Sequence, residues 1–276
     1  MKTIIVPTDF SDTSKNAALY AVQLAAEVQN ARIILYNVFE KSGSGSTGIV
    51  IDDQPLTHKR DMEMALESIK TDMLNTASPV DISCVAEESN SLLDSLERFA
   101  VDQKADLIIM GISGTTRFEQ AFRGSNTLSM VDKNVCPVII VPPHVHFKPI
   151  KNVMLASDFK DVEKTTPIKA IKAILDLFQS NVHVVNVDSE HFVELTDEYK
   201  IERAKLESIL EGYQTDFYFM RQFDFVDAIG QFAADKNIDL ILTVPRKHSF
   251  LSKLFVKSHT KKLVYHSDVP VLAIHE

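Results

Sequence analysis

Cysteine is scarce in this chain: two residues, Cys84 and Cys136, in a sequence of 276. Both sit in apolar, strand-like runs, which favours buried thiols in a reducing cytoplasm over a disulfide framework. Long hydrophobic runs are missing, and none approaches the length needed to cross a bilayer. The opening Met1-Lys2-Thr3-Ile4-Ile5-Val6-Pro7 turns polar too soon for a signal peptide and reads as a first strand. Positive charge is in deficit, with a net charge of −9. General attraction to nucleic acid or to an anionic membrane is therefore not expected. Several catalytic signatures are also missing. There is no Gly-x4-Gly-Lys-(Ser/Thr) loop and no Gly-x-Ser-x-Gly nucleophile elbow. What remains is a globular composition, 45% hydrophobic and 24% charged.

The most informative stretch present is Gly111-Ile112-Ser113-Gly114, continuing through Gly124-Ser125-Asn126-Thr127. It follows Leu107-Ile108-Ile109-Met110, a short β-branched run that reads as a buried strand. Glycine tolerates positive φ and lets a ligand come close to the backbone. A serine at a helix start leaves N–H groups that attract anions. Strand, glycine-bounded loop and helix start together suit a phosphate. The same spacing also fits an ordinary strand-to-helix loop with turn glycines.

Strands alternate with helices along the chain. Strand-like runs cover residues 3–8, 32–38, 80–86, 106–110 and 137–141. Between them, Ala17, Ala21, Leu24 and Val28 fall on one helical face, as do Met62, Leu66, Ile69 and Met73, then Leu92, Leu96 and Phe99. Asp12, Thr13 and Ser14 are N-cap candidates for the first helix, and residues 125–133 form a short fourth. This alternation predicts a parallel sheet covered on both faces. A proline-punctuated segment, 144–150, then precedes a second round of the pattern. Val153-Met154-Leu155-Ala156-Ser157-Asp158-Phe159 repeats Ile4 to Phe10 at an offset of 149, and Asn186-Val187 repeats Asn37-Val38. Ile168, Ile171, Leu175 and Phe178 supply the matching first helix. Further on, Asp239-Leu240-Ile241-Leu242 repeats Asp106-Leu107-Ile108-Ile109 at an offset of 133, as do Phe255, Ser258, Thr260 and Pro270 their first-half partners. The difference between the offsets assigns the extra first-half residues to a loop around 41–56. The chain reads as a duplication: domain 1 over 1–143, a linker over 144–150, and domain 2 over 151–276.

These residues resemble the universal stress protein family in its tandem form, once per half. Nucleotide-binding members of the family carry Gly-x2-Gly-x9-Gly-(Ser/Thr) after the fourth strand, and Gly111, Gly114, Gly124 and Ser125 satisfy that spacing. The family's aspartate at the end of the first strand matches Asp9. The resemblance implies two tandem, doubly wound, Rossmann-like α/β domains similar to the adenine nucleotide alpha hydrolases, each with a five-stranded parallel sheet. A nucleotide would lie at the strands' carboxyl ends, at the topological switch point. It implies ATP as ligand, with Mg²⁺ as a candidate companion. The base side maps onto Pro7, Thr8, Asp9 and Val38. The ribose and phosphate side maps onto Met110, Gly111, Ser113, Gly114, Gly124, Ser125, Asn126 and Thr127. Bare main chain at the three glycines would make room for phosphates, and Ser125 and Thr127 would offer hydroxyl donors. Arg117 and Arg123 read either as solvated surface residues or as phosphate-neutralising ones.

The second half departs from the pattern. At the 133 offset Gly111 becomes Val244, Gly114 becomes Lys247 and Gly124 becomes Lys257, while Asp158 survives. One nucleotide site per chain, in the first half, is expected. The second-half loop is basic, with Arg246, Lys247, Lys253, Lys257, Lys261 and Lys262, and reads as a solvated face or as a surface for another anion or an acidic partner. His144 and His146 alternate along the linker and so share a face if it is extended, a weak metal signal without a third ligand. The resulting expectation is a cytoplasmic ATP-binding stress-response or regulatory protein. The two halves would associate as a pseudo-dimer through the fifth strands, with homodimerisation a further expectation. Any hydrolysis should be slow, because Asp9 is the one candidate general base and the first-half glycine loop holds no lysine. Two rivals stay open: a true ATPase or phosphotransferase, and a non-nucleotide module working through the basic loop.

Overall fold

Apolar β-branched runs separated by amphipathic segments give the secondary structure its rhythm. The computed structural model describes residues 2–40, 54–77, 79–112, 126–188, 197–221, 225–244 and 269–274. The chain divides into two compact units, Met1–Phe147 and Lys148–Glu276. The glycine-loop residues Ser113, Gly114, Arg117, Arg123, Gly124 and Ser125 lie outside the described residues, as does the basic loop of the second half.

Unit 1 runs β1 (Lys2–Pro7), α1 (Asp12–Glu27), β2 (Ala31–Phe39), α2 (Gln54–Thr76), β3 (Asp81–Glu88), α3 (Leu92–Asp102), β4 (Leu107–Gly111), α4 (Asn126–Asp132) and β5 (Val138–Val141). Its sheet is parallel in the order β3-β2-β1-β4-β5. The chain therefore moves outward from β1 in one direction, then returns and continues in the other, which leaves a switch point between β1 and β4. Central strands carry continuous apolar runs because both faces are covered. Ile4 to Val6, Ile33 to Tyr36, Ile108 and Ile109, and β5 are all buried. The expected helical faces close over them: Ala17, Ala21 and Leu24 from α1, with Val28 just past its end, Leu66, Ile69 and Met73 from α2, and Leu96 from α3 are buried. Phe99 of α3 is stacked on Tyr36 at 4.4 Å between ring centroids.

Unit 2 repeats this with β6 (Asn152–Ala156), α5 (Val162–Thr165), α6 (Ile168–Phe178), β7 (Asn181–Asp188), α7 (Asp197–Ile209), β8 (Thr215–Arg221), α8 (Phe225–Asp235), β9 (Leu240–Thr243) and β10 (Val271–Ala273). The parallel order is β8-β7-β6-β9-β10, with the switch point between β6 and β9.

Several expectations need correction. The first helix is capped by Ser11, whose side chain accepts from the Ser14 N–H, rather than by Asp12, Thr13 or Ser14. Its second-half counterpart is present as expected in α6, but the short α5 precedes it as a separate helix. Pro167 has no N–H to donate and disfavours helical geometry at the residue before it, and Thr166 is extended. The extra first-half length is not all loop. Residues 54–56, at the end of the expected loop, already belong to α2. Both cysteines are half-buried rather than buried, and Cys136 lies just ahead of β5 rather than in it. Burial still pushes each thiol up to about 12, and Glu67 adds to the shift at Cys84.

Candidate functional site

The site is built from the way β1 ends. Asn37 of β2 donates through Nδ2 to the Thr8 carbonyl at 2.8 Å, and the Thr8 N–H donates to the Tyr36 carbonyl at 2.9 Å. These bonds fasten the end of the first strand to the second. The Thr8 hydroxyl then accepts the Phe10 N–H at 3.1 Å, and Phe10 takes a left-handed φ of 64°. A bulky residue in that region is strained, and such strain collects at functional positions. The turn leaves Asp9 exposed at the carboxyl edge of the sheet. Its Oδ1 accepts the Ser11 hydroxyl at 2.5 Å and the Ser11 N–H at 3.1 Å. Partial burial works against ionisation of Asp9, but the hydrogen bonds from Ser11, with help from Ser14, outweigh it and hold its pKa below 3.8. Asp9 is thus an anion at neutral pH, held beside the start of α1.

β4 brings Gly111 to the same edge. A side chain there would put its Cβ 2.4 Å from the Thr13 carbonyl oxygen. The bare main chain at Gly111 thus makes room for the first turn of α1, a packing demand that the sequence reading did not anticipate. Thr127 of α4 is buried, and its hydroxyl donates to the Gly111 carbonyl at 2.9 Å. That hydroxyl is spent on holding α4 to β4, a correction to its expected role as a phosphate donor. Pro7, Thr8 and Met110 are buried, Val38 and Gly111 are half-buried, and Asn126 is exposed. The fold therefore gathers seven of the expected residues, Pro7, Thr8, Asp9, Val38, Met110, Gly111 and Thr127, at one edge around the switch point. Asn37 and Ser11 were not picked out as site residues. The signal for Asn37 was its recurrence as Asn186 at the same offset.

Unit 2 builds the same strand exit. Asn186 Nδ2 donates to the Ser157 carbonyl at 2.9 Å, and the Ser157 hydroxyl accepts the Phe159 N–H at 3.2 Å. Phe159 is left-handed at φ 48°. The surroundings differ. Asp158 is only 3% exposed and Phe159 only 1%. The Phe159 ring packs on Phe219, Tyr199 and Phe217, at 5.2, 6.3 and 6.4 Å between centroids. At the 133 offset these partners correspond to Ala86, Leu66 and Cys84 of unit 1. Glu202 of α7 stands where unit 1 has Ile69. Its carboxylate accepts the Val162 N–H at 2.7 Å and the Lys205 ammonium at 2.7 Å. Those bonds, with Lys205 first, hold its pKa below the usual value. The start of the first helix in unit 2 is thereby closed by the chain's own anion.

Neither unit offers a metal cluster among the described residues. His144 and His146 are both exposed, flanking buried Val145. No described helix is long and apolar enough to cross a membrane.

The fold and the strand-end site define a protein of two tandem Rossmann-like α/β units built by duplication. The sequence pattern of the universal stress protein family matches residues 1–142 and 220–275, and the chain belongs to that family. A universal stress protein of Synechocystis is 27% identical over 299 residues, covering 99% of both chains. One of Methanocaldococcus jannaschii is 29% identical over 147 residues, which is 51% of this chain and 81% of that protein. Among solved structures, a universal stress protein from Archaeoglobus fulgidus superposes with a TM-score of 0.72 at 18% identity, covering 99% of this chain and 96% of that one.

Proposed function

We propose that unit 1 binds one adenine nucleotide, ATP, that unit 2 binds none, and that the chain is a nucleotide-responsive stress or regulatory protein rather than an efficient enzyme. One observation carries this reading: the same strained turn presents an exposed carboxylate at Asp9 and a buried one at Asp158, whose neighbour Phe159 is packed in an aromatic cluster. An ionised Asp9 is suited to accept hydrogen bonds from ribose hydroxyls or from the adenine amino group. Pro7, Thr8 and Val38 would flank the base, Met110 and Gly111 the ribose. Ser113, Gly114, Gly124, Ser125 and Asn126 would serve the phosphates through main-chain N–H groups and side-chain donors. In this reading Thr127 acts by holding the loop's exit to β4. Mg²⁺, if it accompanies the nucleotide, would take phosphate oxygens and water besides the single Asp9 carboxylate. The glycine loop holds no lysine to stabilise charge at the γ-phosphate, which favours binding over catalysis.

The test is mass spectrometry of the small molecules that copurify with the chain, paired with binding of ATP to Gly114→Lys. Copurified adenine nucleotide, and its loss in the variant, supports the reading. Unchanged ATP binding in the variant overturns it.

A further inference from the structure

Unit 2 buries a histidine where unit 1 buries an aliphatic residue. His183 lies on β7, paired with Met154 of β6 on one side and Asp216 of β8 on the other. It is 9% exposed, and its Nδ1 is buried with no hydrogen-bond partner among the described residues. The ring is boxed by Tyr218 of β8 at 5.7 Å and Phe232 of α8 at 6.3 Å, which themselves meet at 4.8 Å. Just past α8, the Lys236 ammonium sits 5.0 Å over the Tyr218 ring. At the matched position, offset 149, unit 1 has the buried Ile34.

A neutral imidazole suits this box, because it keeps one lone pair and Nδ1 can be that acceptor. Protonation would add a second N–H at Nδ1, where no acceptor waits, and a charge in an apolar setting. The charged groups around it divide. Asp216, exposed on β8, favours the imidazolium, and Lys236 opposes it. Asp227 and Asp235 of α8 are exposed, and Met154 on β6 contributes no charge. Burial is the largest influence and holds His183 below 6.5.

We propose that His183 is an acid sensor: its protonation loosens β7, β8 and α8 of unit 2, while unit 1 does not respond through the matched strand. The sign follows from linkage. A histidine whose folded pKa lies below its unfolded one contributes stability in full above the unfolded value, and that stability drains away as pH falls below it. This inference is independent of the nucleotide reading.

The experiment is amide hydrogen exchange on the full chain between pH 7.5 and 5, corrected for the intrinsic rate. It compares wild type with His183→Ile and His183→Gln, and an NMR titration of the wild-type imidazole accompanies it. Below pH 6.5, opening of 181–188 and 215–221 should rise by up to about tenfold per pH unit in wild type. Both variants should lose that dependence, and β2 and β3 should not show it. The same pH slope in wild type and either variant overturns the proposal. So does an imidazole that titrates at or above 6.5, a result that needs no variant to fold.

Discussion

Units 1 and 2 leave their first strand by one and the same turn, yet one ends in an exposed carboxylate and the other in a buried one. The shared parts are the asparagine that ties two strands together, the hydroxyl that accepts the next phenylalanine N–H, and the left-handed phenylalanine. The differing parts lie on other elements. Leu66, Cys84 and Ala86 give way to Tyr199, Phe217 and Phe219, and Ile69 gives way to Glu202. The turn is thus a property of the fold, whereas the packing of the phenylalanine beside the aspartate follows what α7 and β8 bring to it in unit 2. A strained backbone alone is not a mark of a working site. It becomes informative beside its duplicate.

The comparison can be pressed hardest at the phenylalanines. Phe159→Ala should cost unit 2 about 3–5 kcal/mol, as for other buried aromatic truncations, whereas Phe10→Ala, at a half-buried residue, should cost unit 1 well below that. Urea unfolding of each variant measures both, and equal losses would break the contrast. Exchanging the glycine comes next. Gly111→Val installs the unit 2 residue against the Thr13 carbonyl and should destabilise unit 1 by about 1–3 kcal/mol. It should also weaken ATP binding by moving α1. A variant of full stability that still loses ATP would return Gly111 to a direct phosphate role.

A smaller and symmetric effect should come from the strand clamps. Asn37→Ala and Asn186→Ala should each cost about 0.5–1.5 kcal/mol, because each takes the side-chain donor from a strand-end carbonyl. Markedly unequal losses would show that the turn is not equivalent in the two units. Smallest is the acid response of Asp9. Its stabilising contribution is present above 3.8 and is lost as pH falls through its lower folded value. Asp9→Asn should flatten that acid limb slightly in thermal melts taken between pH 5 and 2, and an unchanged limb would remove Ser11 and Ser14 as the cause.

Much of this contrast was already written in the residues. The strands were legible because Ile4-Ile5-Val6, Ile33-Ile34-Leu35 and Leu107-Ile108-Ile109 are apolar on both faces, as central parallel strands must be. The duplication was legible from Asp9 and Asp158, and Asn37 and Asn186. The role of Gly111 was not, since spacing cannot tell whether missing side-chain volume admits a ligand or the chain's own helix. The aromatic cluster was missed because Phe159, Tyr199, Phe217 and Phe219 are scattered in sequence and converge only once β6, α7 and β8 are assembled. Setting Cys84 and Ala86 against Phe217 and Phe219 at the repeat offset would have exposed it. The short α5 was missed because the apolar spacing, from Ile168 to Phe178, begins only after Pro167.

The central claim is that duplication kept the turn in both units and the ligand in one. Calorimetric titration of the full chain with ATP, repeated on Asp9→Ala and Asp158→Ala, tests it most directly. The account predicts one ATP per chain, lost with Asp9 and unaffected by the loss of Asp158. Two per chain, or binding that survives without Asp9 and fails without Asp158, would contradict it.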